Sequence, residues 1–600
     1  MPDSPPATAA RSTPFRGLLA SLVAGLVCSF WLTFAFEPVR FGWSVYPALV
    51  VIAWAALRRL PQANSPASTR GSRRHALVFA AGTLPFWLHQ SWFVNSITAA
   101  GAFPISVYLS LYLALAVWLL RLVTTRVPRL ALALAFPAIW LLIEILRGEI
   151  VFHGYAWYLI SFPLIDLPLL AAPARFIGAY GVCALVAASV GALLDLVGPR
   201  LGPMFSCSIT ATKPRQFAAS AALLVVVLLS AAAWLHQRAA ESRAASDARP
   251  FRVGIVQTNL PQSNKLGWSL PDQLKALDRW LELSRQAATD DDWCADVIVW
   301  PETMKPGLTL DDDSVRAEKA AQLGFSIPDE HGTPRSYSSL VFTNDLLNFQ
   351  SRLGVPMLIG EDAYVGLRFD STPAGIDINY DQRFNSVFLL RAGKPDPQRY
   401  DKQRLTPFGE EMPYVDQWPW LKKTLLDVAA RGMRLDLSRG TSASTFDIPT
   451  PSGPVRVGTP ICYEITETAL VSRFIAAGAQ ALVHVTNDGW FGASVIGRRE
   501  HLDICRWRAL EFGVPVVRSA NTGISASIDA FGRILARGPQ GLPAEHSGMD
   551  VDGIIHATMS VSPSTRTPYA TLGNLVGWIG FGAGLALMIL AVWRGRRPHA

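Results

Sequence analysis

The chain has 600 residues, 50% of them hydrophobic and 17% charged, with a formal net charge of +8 and a mean hydropathy of +0.25. That length is too great for one ordinary core, and that hydropathy argues against an ordinary soluble protein and for a polytopic membrane protein. Acidic residues concentrate between about Arg238 and Pro568, so two compositional regimes, and two kinds of domain, share the chain.

Taken in order, the first 237 residues are apolar blocks separated by short basic loops. A bilayer crossing needs roughly 20 apolar residues. Seven candidates precede residue 238: Leu18–Phe36, Trp43–Leu57, Ala76–Val94, Phe103–Leu120, Leu130–Ile145, Phe176–Val197 and Phe217–Leu235. An eighth, Leu575–Trp593, lies near the C-terminus, and the second and fifth are short. Basic residues fall in alternate loops. They are Arg58, Arg59, Arg70, Arg73 and Arg74, then Arg121, Arg126 and Arg129, then Arg200, Lys213 and Arg215, and finally Arg594, Arg596 and Arg597. The other loops hold Arg40, with Arg147 and Arg175 at span ends. With Arg11 and Arg16 ahead of the first block, the positive-inside rule predicts that both termini are cytoplasmic and that 238–570 is extracytoplasmic. Topology then accounts for the net charge, and no nucleic-acid partner is expected. The first block lacks a convincing small-residue cleavage site and is read as a retained anchor.

The expected division is a membrane domain over 1–237 with seven helices, a catalytic domain over 238–570, and a last helix with a basic tail over 571–600. An Ala/Arg/Ser-rich stretch at Gln237–Arg249 reads as a linker. Beyond it, short β-type runs alternate with helical stretches: Arg252–Thr258, Val297–Trp300, Pro356–Gly360, Asn385–Leu390, Val455–Thr459, Ala481–Thr486, Val514–Ser519 and Ser525–Ile528. Between the first two, Pro271–Ala288 carries Leu274, Leu277, Leu281 and Leu283 near helical spacing. Several of the strands are too apolar for a sheet with one wet face, which predicts an α/β layered domain with covered sheets. Leu310–Ser339 is polar and acidic and reads as a surface excursion.

Three residues at the ends of such runs carry chemistry: Glu302 after Val297-Ile298-Val299-Trp300-Pro301, Lys402 after Tyr400-Asp401, and Cys462 after Val455-Arg456-Val457. Singly, each has a plain alternative: a core thiol, a helix-capping acid, a solvated amine. Together they form a unit. Cys462 is the nucleophile, Glu302 the general base and Lys402 the holder of the oxyanion, with the Tyr463 backbone N–H as a second donor. An apolar setting would raise the Glu302 pKa toward the working range. The six cysteines show no paired spacing, so neither a disulfide framework nor a zinc site is indicated, and no metal or cofactor is expected.

Trp300-Pro301-Glu302, Tyr400-Asp401-Lys402 with Leu405-Thr406-Pro407-Phe408-Gly409-Glu410, and Ile461-Cys462-Tyr463-Glu464 resemble the nitrilase superfamily. More narrowly, they resemble its apolipoprotein N-acyltransferase family. Gly154-Tyr155-Ala156-Trp157, Gly178-Ala179-Tyr180-Gly181-Val182 and Asn487-Asp488-Gly489-Trp490-Phe491-Gly492 extend the likeness over nearly the whole chain. The resemblance implies an αββα sandwich carrying a Glu302, Lys402, Cys462 triad, with Glu410 and Glu464 as supporting acids and Tyr463 beside the nucleophile. It implies a monomeric multi-pass protein of the bacterial inner membrane. Its partners would be a phospholipid acyl donor and a diacylated apolipoprotein acceptor, joined through a thioester on Cys462. Trp268 corresponds to a tryptophan near the site, although Gln262–Gly267 leaves its register loose. Trp490 and Phe491, flanked by turn residues, are expected at an exposed tip facing acyl chain or membrane. Glu411 stands where the family has an aromatic residue and Thr406 where it has an aliphatic one. Two other readings remain: a membrane-tethered amidase with water as acceptor, and a transporter with an inert extracytoplasmic module.

Overall fold

The computed structural model describes residues 14–59, 67–91, 99–201, 212–260, 268–328, 333–373, 375–418, 420, 437–492, 494–543 and 546–596. Arg11, Val94, Arg597 and the run Gln262–Gly267, invoked above, and Cys207 of the six cysteines lie outside the described residues.

Each apolar block forms a helix. The first seven are α1 (Pro14–Ala35), α2 (Val45–Leu57), α3 (Ala67–Gln90), α4 (Ala99–Arg126), α5 (Leu132–Ile145), α6 (Ala174–Leu201) and α7 (Lys213–Asp247). By length and composition α1, α4, α6, α7 and the C-terminal helix Leu575–Arg596 are long and apolar enough to cross a membrane. Gly42–Leu57 is a shorter apolar helix. The first turns of α3 hold Arg70, Arg73 and Arg74, and α5 has 14 residues and ends in a wide turn over Leu146–Ile150. α1 and α3 meet at two glycines. A β-carbon on Gly25 would lie 2.2 Å from the Phe79 carbonyl oxygen, and one on Gly82 would lie 2.7 Å from the Gly25 Cα. Small residues let helices approach this closely in lipid, where packing rather than water drives association.

The stretch Gln237–Arg249 is not a linker: α7 runs unbroken to Asp247 and the first strand opens at Arg249. Alanine, arginine and glutamate are strong helix formers, and such a composition continues a helix already nucleated by the apolar turns before it. The expected boundary at 237/238 therefore falls inside α7.

Twelve strands then build two six-stranded sheets. The first holds β1 (Arg249–Gln257), β2 (Val297–Val299), β3 (Met357–Val365), β4 (Gln382–Arg391), β5 (Lys394–Asp401) and β12 (Gly553–Val561) in the order β5-β4-β3-β2-β1-β12. The second runs in sequence order: β6 (Thr445–Ile448), β7 (Val455–Gly458), β8 (Ala481–Thr486), β9 (Val516–Ala520), β10 (Ala526–Ile528) and β11 (Ile534–Arg537). Both share one plan, three parallel central strands flanked by antiparallel ones.

Alternate residues explain the layers. Val253, Val297, Val299, Leu358, Val387 and Leu389 belong to the core shared with the second sheet. Their neighbours Val256, Ile298, Met357, Ile359, Phe388 and Leu390 join a separate core under α8 (Leu270–Ala288) and α9 (Val341–Leu353). Sheets buried on both faces read as continuous apolar runs, as observed in the sequence. α10 (Thr468–Ala476) and α11 (Val495–Phe512) pack on the second sheet, completing an αββα sandwich before the C-terminal helix, α12 (Leu575–Arg596). Within the 310–339 excursion a helix (Asp312–Ala320) is capped by Asp311, whose Oδ1 accepts from the Ser314 N–H at 2.9 Å. A two-stranded hairpin (Gly324–Pro328 with Pro334–Ser338) follows.

Gly82→Val is expected to destabilise the protein by about 1–3 kcal/mol, because neither backbone has room to yield. Thermal unfolding in detergent micelles checks this, and an unchanged midpoint would contradict the close approach of α1 and α3.

Candidate active site

The carboxyl ends of the central strands and the end of β5 converge, which is where α/β sheets present ligand-binding groups. Glu302 follows β2, Cys462 follows β7, Asn487 follows β8, and Lys402 follows β5. Glu302, Lys402 and Glu410 are buried and Cys462 is half-buried. Lys402 Nζ donates to Glu410 Oε1 at 2.8 Å and to Glu302 Oε1 at 3.3 Å. Asn385, in β4, joins the two halves of this arrangement. Its backbone oxygen accepts from the Lys402 N–H at 2.8 Å, and its side-chain amide donates to Glu302 Oε1 at 2.6 Å. The backbone N–H of Asn487 donates to Glu302 Oε2 at 2.8 Å. The Cys462 thiol lies close enough to Glu302 for the carboxylate charge to bear on its ionisation.

The expectation that burial raises the Glu302 pKa is overturned. Burial does act in that direction, but Lys402 and the donors from Asn385 and Asn487 hold it below the usual carboxylate value. Burial also works to lower the Lys402 pKa, and Glu410 with Glu302 reverse it, so the amine stays an ammonium. Burial and then the Glu302 charge push the thiol pKa well up. The resting site is therefore a neutral thiol beside a carboxylate. A free thiolate beside the Glu302 carboxylate is disfavoured.

The supporting acids have distinct places. Glu410 Oε2 accepts from the Thr406 N–H at 2.8 Å while Oε1 holds Lys402, tying the 405–410 loop to the amine. Glu464 Oε2 accepts from the Ile461 N–H at 2.9 Å, and Oε1 from the N–H groups of Gln403 and Arg404 at 2.6 and 3.0 Å. Both of its oxygens lie 2.8 Å from the Tyr400 hydroxyl. Glu464 thus fastens the turn of the nucleophile to the segment that carries Lys402. Tyr463 reaches the other way, its hydroxyl donating to the Gly154 carbonyl oxygen at 2.8 Å.

That last contact belongs to a cavity of about 350 Å³ built from both regions of the chain. Ile105, Tyr108 and Leu109 of α4, Val151, Phe152, Gly154, Tyr155 and Trp157 after α5, and Pro407 and Phe408 form apolar and aromatic walls. Glu410, Cys462, Asn487 and His501 contribute the polar part. Trp490 and Phe491 line it as well, but not at an exposed tip: Phe491 is buried, its ring 5.7 Å from Trp157 and 5.6 Å from His501. The turn is folded inward because its polar groups have internal partners, with Asn487 Oδ1 accepting from the Gly489 N–H and from Asn521. Trp268 is not brought to this cavity. It packs at a tilt against Trp280, itself against Trp300, in the outer core of the first sheet. Glu411 bridges His153 at 2.8 Å and Arg439, linking the loop after α5 to the loop bearing Glu410. Glu144 and Arg147 pair at 2.5 Å, and Arg147 also donates to the Tyr155 and Trp157 carbonyls, shaping the cavity's 154–157 wall.

Buried polar residues that sequence reading missed are His484, Asp488, His501 and Arg518, all packed around the Cys462 turn. Only His484 left a signal, as a lone polar residue within Leu482-Val483-His484-Val485. Among the described residues no group of three or more His, Cys, Asp or Glu is placed to hold a metal.

The sandwich is of the carbon-nitrogen hydrolase class, and the family model of that description matches residues 252–543. A second family model, the apolipoprotein N-acyltransferase N-terminal domain, matches residues 15–192. The chain is 29% identical over 596 residues to the apolipoprotein N-acyltransferase of Bordetella bronchiseptica, covering 95% of each chain. It is 27% identical over 576 residues to that of Photobacterium profundum, covering 93% of this chain and 91% of the other. Among solved structures, Nit3 of Saccharomyces cerevisiae, a member of branch 10 of the nitrilase superfamily, matches at 16% identity and a TM-score of 0.31. That match covers 54% of this chain and 93% of the other. The chain belongs to the apolipoprotein N-acyltransferase family.

Glu302→Gln is expected to lower turnover by about 10²–10⁴-fold, the usual worth of a positioned general base. The same change removes a charge that raises the thiol pKa, so the pH midpoint of Cys462 alkylation is expected to fall. Iodoacetamide labelling across pH with peptide mass analysis reads both signs. A midpoint that rises would show that the Glu302 charge does not bear on the thiol.

Proposed function

We propose that Cys462 carries an acyl chain between two lipid-anchored substrates as a thioester. In the first half-reaction the sulfur attacks an ester carbonyl carbon of a phospholipid, and its proton passes to Glu302. Lys402 lies where it neutralises the charge developing on the carbonyl oxygen. Collapse breaks the ester C–O bond, Glu302 returns the proton to the departing oxygen, and a lysophospholipid leaves. In the second, the α-amine of an N-terminal diacylglyceryl-cysteine attacks the thioester carbon and gives a proton to Glu302. The amide C–N bond forms, the C–S bond breaks, and the sulfur recovers its proton. Glu410 holds Lys402 in place through both steps, and Glu464 with Tyr463 anchors the nucleophile's turn.

The observation that carries this reading is the apolar cavity, walled by α4 and the loop after α5, that Cys462 lines. An acyl chain filling it gains about 0.8 kcal/mol for each buried methylene. A thioester shielded there from water persists long enough to meet an amine. An amidase using water as acceptor has no use for such walls, nor for seven helices ahead of the sandwich. In this reading all eight helices cross the inner membrane, both termini are cytoplasmic, and the sandwich faces outward, where diacylated lipoproteins are displayed.

Intact-mass analysis of protein purified from membranes is expected to show an acyl adduct on Cys462 that hydroxylamine removes and Cys462→Ala abolishes. A diacylated lipopeptide should discharge it as an amide. Discharge by water at an equal rate would instead make the protein a hydrolase. Cys294 is exposed, so a membrane-impermeant maleimide is expected to label it in intact spheroplasts; labelling only after lysis would invert the topology.

A further inference from the structure

Cys462 is held by its backbone as well as by its thiol. Its φ is +50°, in the left-handed region that a residue with a β-carbon enters at a cost of about 1–2 kcal/mol and keeps only where neighbours impose it. Two imidazoles converge on its carbonyl oxygen: His484 Nε2 at 3.0 Å and His501 Nε2 at 3.3 Å. A carbonyl only accepts, so both nitrogens are donors. The other nitrogen of His484 meets a guanidinium, which only donates, whereas that of His501 lies between this guanidinium and the Asp488 carboxylate, with Asp488 Oδ1 at 3.3 Å. Arg518 Nη1 lies 3.1 Å from His484 Nδ1, and Arg518 Nη2 lies 3.3 Å from His501 Nδ1. The guanidinium thereby fixes the tautomer of His484, and His501 keeps its Nε2–H because that nitrogen faces the Cys462 carbonyl.

We propose that His484 and His501 are positioning residues, a two-donor clamp on the Cys462 carbonyl that holds the nucleophile's backbone in the conformation aiming its thiol at Glu302. This rests on the reading of Cys462 as the acyl carrier. The charges around the clamp balance. Asp488 pairs with Arg518 and also lies 3.3 Å from His501 Nδ1, and Cys505 Sγ sits 3.4 Å from His484 Nδ1. Burial first and Arg518 next keep both imidazoles below their usual pKa, with Asp488 opposing, so the rings stay neutral donors. Both are fully buried. Placing a polar ring in the apolar β8 is costly unless its hydrogen bonds are made, and here they are. His501 also touches the cavity, with Trp157 5.5 Å from its ring, so the nucleophile's backbone and the cavity wall share a residue.

The test uses the full-length protein in detergent micelles with a defined phospholipid donor, reading the single-turnover rate of Cys462 acylation by intact mass and the apparent KM for the donor. His501→Phe keeps aromatic packing but has no donor; His501→Gln and His484→Gln each keep an amide that can donate an N–H to the carbonyl. The Phe variant is expected to acylate about 10- to 100-fold more slowly at unchanged KM, the scale of a misaligned reacting group. The Gln variants should stay within about threefold of the native rate. A Phe variant at the native rate, Phe and Gln variants equally slow, or a change confined to KM would each overturn the clamp. If the Phe variant does not fold, the Gln variants decide alone: retention of rate supports donation and its loss refutes it. Absence of any adduct on the native protein would refute the carrier reading instead, which separates the two failures.

Discussion

A fully buried ammonium is the constraint on which this site depends. Lys402 has no solvent exposure, and a charge in that position survives only with counter-charges at hydrogen-bond distance. Glu410 and Glu302 supply them from two different segments, and Glu302 in turn must accept from Asn385 and Asn487 to satisfy its remaining lone pairs. Four segments from across the sandwich are thereby fixed relative to one amine. The arrangement also sets protonation. The Glu302 carboxylate is held ionised and the Cys462 thiol neutral.

Around that centre the chain separates electrostatics from shape. The sandwich supplies the charged groups at its strand ends, while α4 and the loop after α5 supply most of the apolar walls. Contacts across this seam are specific. Tyr463 bonds Gly154, Glu411 bonds His153, and the Phe152 ring lies 5.4 Å from Phe408. Phe152, His153, Phe408 and Tyr414 all have positive φ, so backbone strain is concentrated on both sides of the seam. Strain of that kind is retained where it fixes a functional surface.

What was legible in the sequence was whatever had to be written locally. The apolar runs of β1 to β4 and β7 to β10 announced covered strands because both of their faces are buried. Glu302 and Cys462 were legible besides, each beside such a run, whereas Lys402 was marked by the Tyr400-Asp401-Lys402 motif. β5 was not legible, since Pro395 and Pro397 interrupt it and its partner β4 supplies the pairing. The tuning of Glu302 was misjudged because the cation that lowers its pKa lies 100 residues away. Phe491 was misplaced for a similar reason: Asn-Asp-Gly signals a turn, and only the distant Asn521 and Arg518 reveal that the turn is buried. The Arg518, His484 and His501 cluster is likewise a product of the fold, with no spacing rule to betray it.

The unbroken α7 has a mechanical meaning. Its 35 residues span about 50 Å at the helical rise, against about 30 Å for a bilayer's hydrocarbon core. The strand β1 begins two residues after it ends, leaving no slack to absorb rotation or tilt. α7 is thus a strut rather than a tether. Its length sets the height at which the sandwich stands, and its helical phase sets the direction in which the cavity's mouth faces.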